Sequence, residues 1–121
     1  VNGWSASDYG IPQAVAASQT DKPISKEFPI TAGGASRAFV VKLKVSAATV
    51  AAAITVKLQT AIGADWVDSK TGTVLAGAGN TYIKILADNT YMPLLNKGRV
   101  VLTTGIGDSA TVTSVEILQE L

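Results

Sequence analysis

Across residues 37–46 the chain alternates. Phe39, Val41, Leu43 and Val45 fall on one side; Lys42, Lys44 and Ser46, with Val40, fall on the other. A side-chain period of two, with one apolar and one polar row, marks a strand buried on one face. The pattern returns where Ile54, Val56 and Leu58 alternate with Thr55, Lys57 and Gln59. Two amphipathic strands joined by a small-residue connection at 47–53 are expected to be neighbours in an antiparallel sheet. Lys42, Lys44 and Lys57 would then share one solvated face. Upstream, Ile24, Phe28 and Ile30 share a side, and Pro29 restricts that segment to an edge or a strand end.

The second half repeats the scheme at closer spacing. Trp66 and Val67 fit one short strand and residues 73–75 another. Gly77-Ala78-Gly79-Asn80 turns the chain, and residues 81–87 return with Ile83 and Ile85 on one face and Tyr82 and Leu86 on the other. Ala32-Gly33-Gly34-Ala35-Ser36 reads as a flexible connection, Asp88-Asn89 and Asn96-Lys97-Gly98 as turns, and the proline-interrupted run 91–95 as a crossing between sheets. Residues 99–104 and 110–119 form a hairpin across Gly105-Ile106-Gly107-Asp108-Ser109. In its second strand Val112 is out of phase with Val115 and Ile117, so a bulge near Thr113-Ser114 is expected to restore a common face. About eight such strands with regular turn signals predict an all-β fold: a single-domain antiparallel β-sandwich, jelly-roll-like.

The first 23 residues differ, with neither period two nor a sustained helical period. They are read as an extended N-terminal arm, 1–23, before a sandwich domain, 24–121. Pro12 suits the start of one helical turn at 13–17, too short to stand alone. Core periodicity begins only at Ile24, so the arm is expected to add little to the core. It carries Trp4, Tyr9 and Ile11. Each aromatic buries about 150–250 Å² when covered. At about 25 cal/mol per Å², leaving both in water forgoes several kcal/mol. Either the arm folds back across its own sheet or it lies on a neighbour; on the second reading Trp4, Tyr9 and Ile11 are the candidate partner-binding residues.

Composition sharpens this picture. The 121 residues are one domain's worth. Only 16% are charged, against roughly a quarter in an ordinary soluble domain. With mean hydropathy +0.30, that points to surface normally covered by a partner. Net charge is +1, so no strong field steers the chain to nucleic acid or an anionic membrane. No run approaches the roughly 20 apolar residues of a membrane span, and no secretory leader is visible. His and Cys are both absent, which removes the usual general base, the thiolate nucleophile, disulfides and ordinary zinc sites.

The remaining candidate chemistry is thin. Gly105-Ile106-Gly107-Asp108-Ser109-Ala110 fits a loose dinucleotide pattern, but Thr111-Val112-Thr113 follows where a helix must hold the phosphate. Gly77-Ala78-Gly79 fails in the same way. Asp65, Asp68, Asp88 and Asp108 suit turns better than a calcium loop or a glycosidase pair. No catalytic, cofactor or metal residue is assigned.

One resemblance enters at the closing segment. Tyr91-Met92-Pro93-Leu94, then Gly98-Arg99-Val100-Val101-Leu102-Thr103-Thr104-Gly105-Ile106-Gly107-Asp108-Ser109-Ala110-Thr111-Val112-Thr113-Ser114-Val115, resembles the end of small structural proteins of tailed bacteriophages. Val56-Lys57-Leu58-Gln59-Thr60, followed by Asp65-Trp66, is similar to a strand-and-loop pair in the same group, so the likeness spans about residues 37–118. It implies a capsid decoration (cement) or minor head protein, located at the virion capsid surface. Such a protein is non-enzymatic and binds the major capsid protein shell and its own copies as a homo-oligomer. The alternative is a carbohydrate-binding β-sandwich module, with Trp66 and Tyr82 or Tyr91 as its aromatic platform.

Overall fold

The computed structural model describes residues 4–29, 39–85 and 97–120. These form ten strands and no helix: β1 (Trp4–Asp8), β2 (Gln13–Val15), β3 (Lys22–Pro23), β4 (Phe28–Pro29), β5 (Phe39–Thr49), β6 (Ile54–Ile62), β7 (Asp65–Thr73), β8 (Gly79–Ile85), β9 (Lys97–Thr104) and β10 (Ser109–Glu120). Two five-stranded antiparallel sheets pack as a jelly-roll-like sandwich. The first has the order β1-β10-β5-β8, with β2 also on β10. The second has the order β3-β9-β6-β7, with β4 also on β9.

Alternation sets the core. Val41, Leu43 and Val45 of β5 point inward with Val112, Val115 and Ile117 of β10. From the second sheet, Ile54, Val56 and Leu58 of β6 meet them with Val100 and Leu102 of β9. Each such aliphatic contributes about 1.5–3 kcal/mol when fully buried. The bulge in β10 is present: its register against β5 shifts on both sides of Val112, and Thr113 donates its hydroxyl to the Lys44 carbonyl (3.0 Å). Phe39 and Ile85, as side chains, and Ile30 lie outside the described residues, as do the connection at 32–36, the Asp88-Asn89 turn and the crossing at 91–95.

Two expected pairings are corrected. β5 and β6 are not neighbours, because residues 50–53 carry the chain from one sheet to the other. Residues 99–104 and 110–119 are not a hairpin, because β9 lies in the second sheet and β10 in the first. Consecutive strands usually pair, but a Greek-key sandwich sends them to opposite layers, and alternation is identical in both cases. Among the described strands β6 and β7 are the consecutive pair that does bond, around Gly63 at φ 63°. The segments read separately at 66–67 and 73–75 belong to, or just follow, the nine-residue strand β7.

Residues 4–23 are extended but not separate. β1 and β2 pair successive parts of β10, β3 pairs β9, and Val15 is buried in the core. The expected helical turn at 13–17 is strand β2 at its start. Between these strands the Tyr9 N–H donates to the Val115 carbonyl (3.0 Å) and the Tyr9 carbonyl accepts from Lys26 (2.9 Å). Ile24 and Ser25 then bond Val100, so this segment joins one sheet to the other along an edge. The crossing is tight enough to require glycine: a Cβ on Gly10 would collide with the Val115 nitrogen. Its pairings are interrupted, and β2 and β3, three and two residues long, are too short to show a period.

Candidate functional site

The register places four connections at one end of the sandwich: residues 16–20, 50–53, 74–78 and 105–108. Val15 pairs Ala110, Ser109 pairs Thr49, and Ile54 pairs Thr104, which brings these strand ends together. Hydrogen bonds then tie the loops to one another. Ser18 donates to the Gly105 carbonyl (3.1 Å), the Thr104 hydroxyl to Ala16 (2.7 Å), and Gly77 to Ala48 (2.8 Å).

Asp108 is the single charged residue in these four connections, and it is buried. Its Oδ1 accepts from the amides of Ala51 (2.6 Å) and Ala52 (2.8 Å), and its Oδ2 from Ala53 (3.1 Å) and Gly105 (2.7 Å). Those four donors, Ala52 foremost, hold the carboxyl below its ordinary 3.8 against the opposing effect of burial. Gly107, at φ 82°, lets the loop turn back so that Asp108 reaches inward. With the carboxylate consumed by backbone, the exterior of this end carries no charge: exposed Ser18 and Thr20 stand among Ala, Gly and aliphatic side chains. Ile106 is 84% and Leu75 76% exposed, the highest values among the large apolar side chains described.

The outer face of the second sheet has the opposite character. Trp66 and Asp68 of β7 stand beside Gln59 and Lys57 of β6 and Arg99 of β9. The Arg99 guanidinium lies 4.5 Å from the centre of the Trp66 ring, and its Nε–H donates to Gln59 Oε1 (2.9 Å). Gln59 in turn donates to Asp68 (2.8 Å). Lys57 bridges Asp21 (3.2 Å) and Asp68 (3.6 Å). The Asp21 hydrogen bond holds the amine above its ordinary 10.5 despite some burial, with Asp68 adding to it. Lys57 therefore does not share a face with Lys42 and Lys44, which point out from the first sheet beside Tyr82 and Glu116.

The residues singled out from sequence are dispersed. Trp4 stands across from Glu120 at the end opposite the four connections. Tyr9 is half-buried, its ring 5.3 Å from that of Phe28 in the same chain. Ile11 is exposed, with its N–H on the Ile24 carbonyl. Trp66 and Tyr82 belong to different sheets, so they make no common platform, and Tyr91 lies outside the described residues. Asp65 and Asp68 sit three apart on one strand and so project to opposite faces. No group of three or more metal-ligating side chains occurs among the described residues.

The loop end was missed, although the sequence carries a signal for it. Residues 9–20, 45–56, 71–83 and 100–115 contain no charge except Asp108, and the middles of all four windows meet there.

No protein-family model matches the chain, and no curated protein matches it. Among solved structures it is similar to Eiger TNF from S. frugiperda, with TM-score 0.50 and 10% identity, covering 99% of this chain and 94% of that one. A second structure, described as "CBM4 structure and function", gives TM-score 0.42 and 16% identity over 98% of this chain and 74% of that one. The first likeness concerns the fold alone.

Proposed function

We propose that this protein is a non-enzymatic virion component, a capsid decoration protein that binds the major capsid protein shell and its own copies. The observation that carries the reading is the asymmetry of the surface. Both sheet faces are charged, whereas one end shows no exposed charge, exposes Ile106 and Leu75, and is held in shape by a buried carboxylate. Large apolar side chains left exposed at an end without charge suit a contact surface. The resemblance of residues 91–94 and 98–115 to tailed-phage structural proteins supplies the class of partner. Contacts among copies are assigned to the edge bearing Trp4, Tyr9 and Ile11.

The alternative, a carbohydrate-binding module, asks for an open aromatic platform, but Arg99 stacks on Trp66. Mass spectrometry of purified particles tests the proposal. The chain is expected as a stoichiometric virion protein; its absence from particles, together with glycan-array binding lost in Trp66→Ala, would replace the proposal with the alternative.

A further inference from the structure

We infer that the outer face of the first sheet receives a second copy of this chain, packed about a two-fold axis that runs along the strands between β10 and β5. This rests on the self-association in the reading above, and extends the contact between copies from the β1 edge onto the adjoining face.

The face is built from rows that cross the sheet in register. Val115 and Ile117 point inward, as do Val41 and Leu43, so Glu116, Leu118, Val40 and Lys42 point outward. One row runs Asp8, Glu116, Lys42, Tyr82 across β1, β10, β5 and β8. The row beside it sets Leu118 against Val40, both apolar and neither fully buried. Asp8 and Glu116 are like charges directly opposite each other, a destabilising arrangement that a facing cation relieves. Among the described residues none of Asp8, Glu116 and Lys42 forms an ion pair. Asp8 accepts from the Gly10 amide through Oδ1 (2.8 Å), and Tyr82 is 50% exposed. The row is therefore polarised: negative across β1 and β10, positive and then phenolic across β5 and β8.

Such a row is complementary to itself when reversed. A two-fold axis in the contact plane, along the strands and midway between β10 and β5, turns each row end for end. Glu116 of each copy then meets Lys42 of the other, and Asp8 meets the phenol of Tyr82. In the neighbouring row Leu118 meets Val40 twice over, which supplies an apolar centre. Lys44 and Lys84 fall opposite positions 114 and 6, a serine and an alanine, so no like charges are opposed. Packed sheets cross at about 30°, and the pairs next to the axis, 116 with 42 and 118 with 40, keep their register best. On the second sheet, by contrast, Lys57 is already paired within the chain, with Asp21 and Asp68.

The test is sedimentation velocity of the full chain over a dilution series, at low and high salt. Variants are Glu116→Lys, Lys42→Glu and the double reversal Glu116→Lys/Lys42→Glu, each shown to fold by a cooperative thermal transition. Wild type is expected to dimerise, more weakly at high salt. Each single reversal opposes like charges twice by symmetry, and should raise the dimer dissociation constant on the order of 10-fold or more. The double reversal should dimerise again near wild-type strength, and so should an equimolar mixture of the two single variants. Single variants that dimerise like wild type, or rescue by neither combination, would overturn the two-fold face and leave self-association standing. A strictly monomeric wild type would overturn the face and self-association together, while mass spectrometry of particles still decides the virion reading.

Discussion

The loop end and the outer face of the second sheet solve the same problem in opposite ways. Each must satisfy charged or polar groups on a small sandwich. On the face, charge is met by side chains: Lys57 by Asp21 and Asp68, and Arg99 by Gln59 and the Trp66 ring. These pairs stay in or near water, where exposed ion pairs contribute about 0–1 kcal/mol each. At the end, one carboxylate is buried and spent on four backbone amides, and nothing charged is left outside. A satisfied face that still shows charge stays soluble by itself. A satisfied end that shows no charge and exposes Ile106 and Leu75 gains from being covered. The position of the charges, more than their number, separates scaffold from contact surface.

The most damaging change removes the core beneath both regions. Leu58→Ala or Leu43→Ala is expected to cost about 2–5 kcal/mol by denaturant unfolding, since both side chains are about fully buried in the centre of the sandwich. A near-neutral midpoint would mean that the inward rows are misassigned.

Next comes a matched pair of substitutions. Asp108→Asn turns an amide group toward backbone donors that need acceptors, so it should lower the melting temperature clearly, though less than core truncation. Asp68→Asn, half-exposed and sharing Lys57 with Asp21, should cost less than about 1 kcal/mol. Equal losses would erase the distinction between the two regions.

Titration sharpens it further. Asp108 has a folded-state pKa below 3.8, so its contribution is present above that pH and fades as pH falls through the lower folded value. Lys57 lies above 10.5, so its contribution is present below that pH and is lost as pH rises through the higher folded value. Acid unfolding should therefore shift in Asp108→Asn, and alkaline unfolding in Lys57→Gln. The reverse assignment would contradict the geometry. The smallest effect is Trp66→Ala, which removes the rings of contact to Arg99 and Lys97 and should cost about 0.5–1 kcal/mol from the cation–π contacts.

How much of this was legible depended on which residues carried it. The inward rows at Val41/Leu43/Val45 and Ile54/Val56/Leu58 followed from period two, and the β10 bulge from the phase break after Val112. Layer assignment did not follow, because Lys42 and Lys57 alternate identically whether their strands are neighbours or lie in opposite sheets. The segment 4–23 hid its role because β2 and β3 are three and two residues long. Its bonds run through Gly10, Ser25 and backbone carbonyls, which leave no hydrophobic period. Asp108 looked like a turn residue, and through Gly105 it is one; its three distant donors at 51–53 are a tertiary fact. The charge-free windows were visible, but their meeting point needed the topology.

The central claim is that the uncharged end, and not the charged face, meets the shell. Hydrogen–deuterium exchange of the protein, free and bound to undecorated shells, tests it most directly. The account predicts slowed exchange on binding in peptides spanning 74–78 and 105–108, with 66–70 unchanged. Protection around Trp66 and Asp68, with the loop end exchanging as in the free protein, would contradict it.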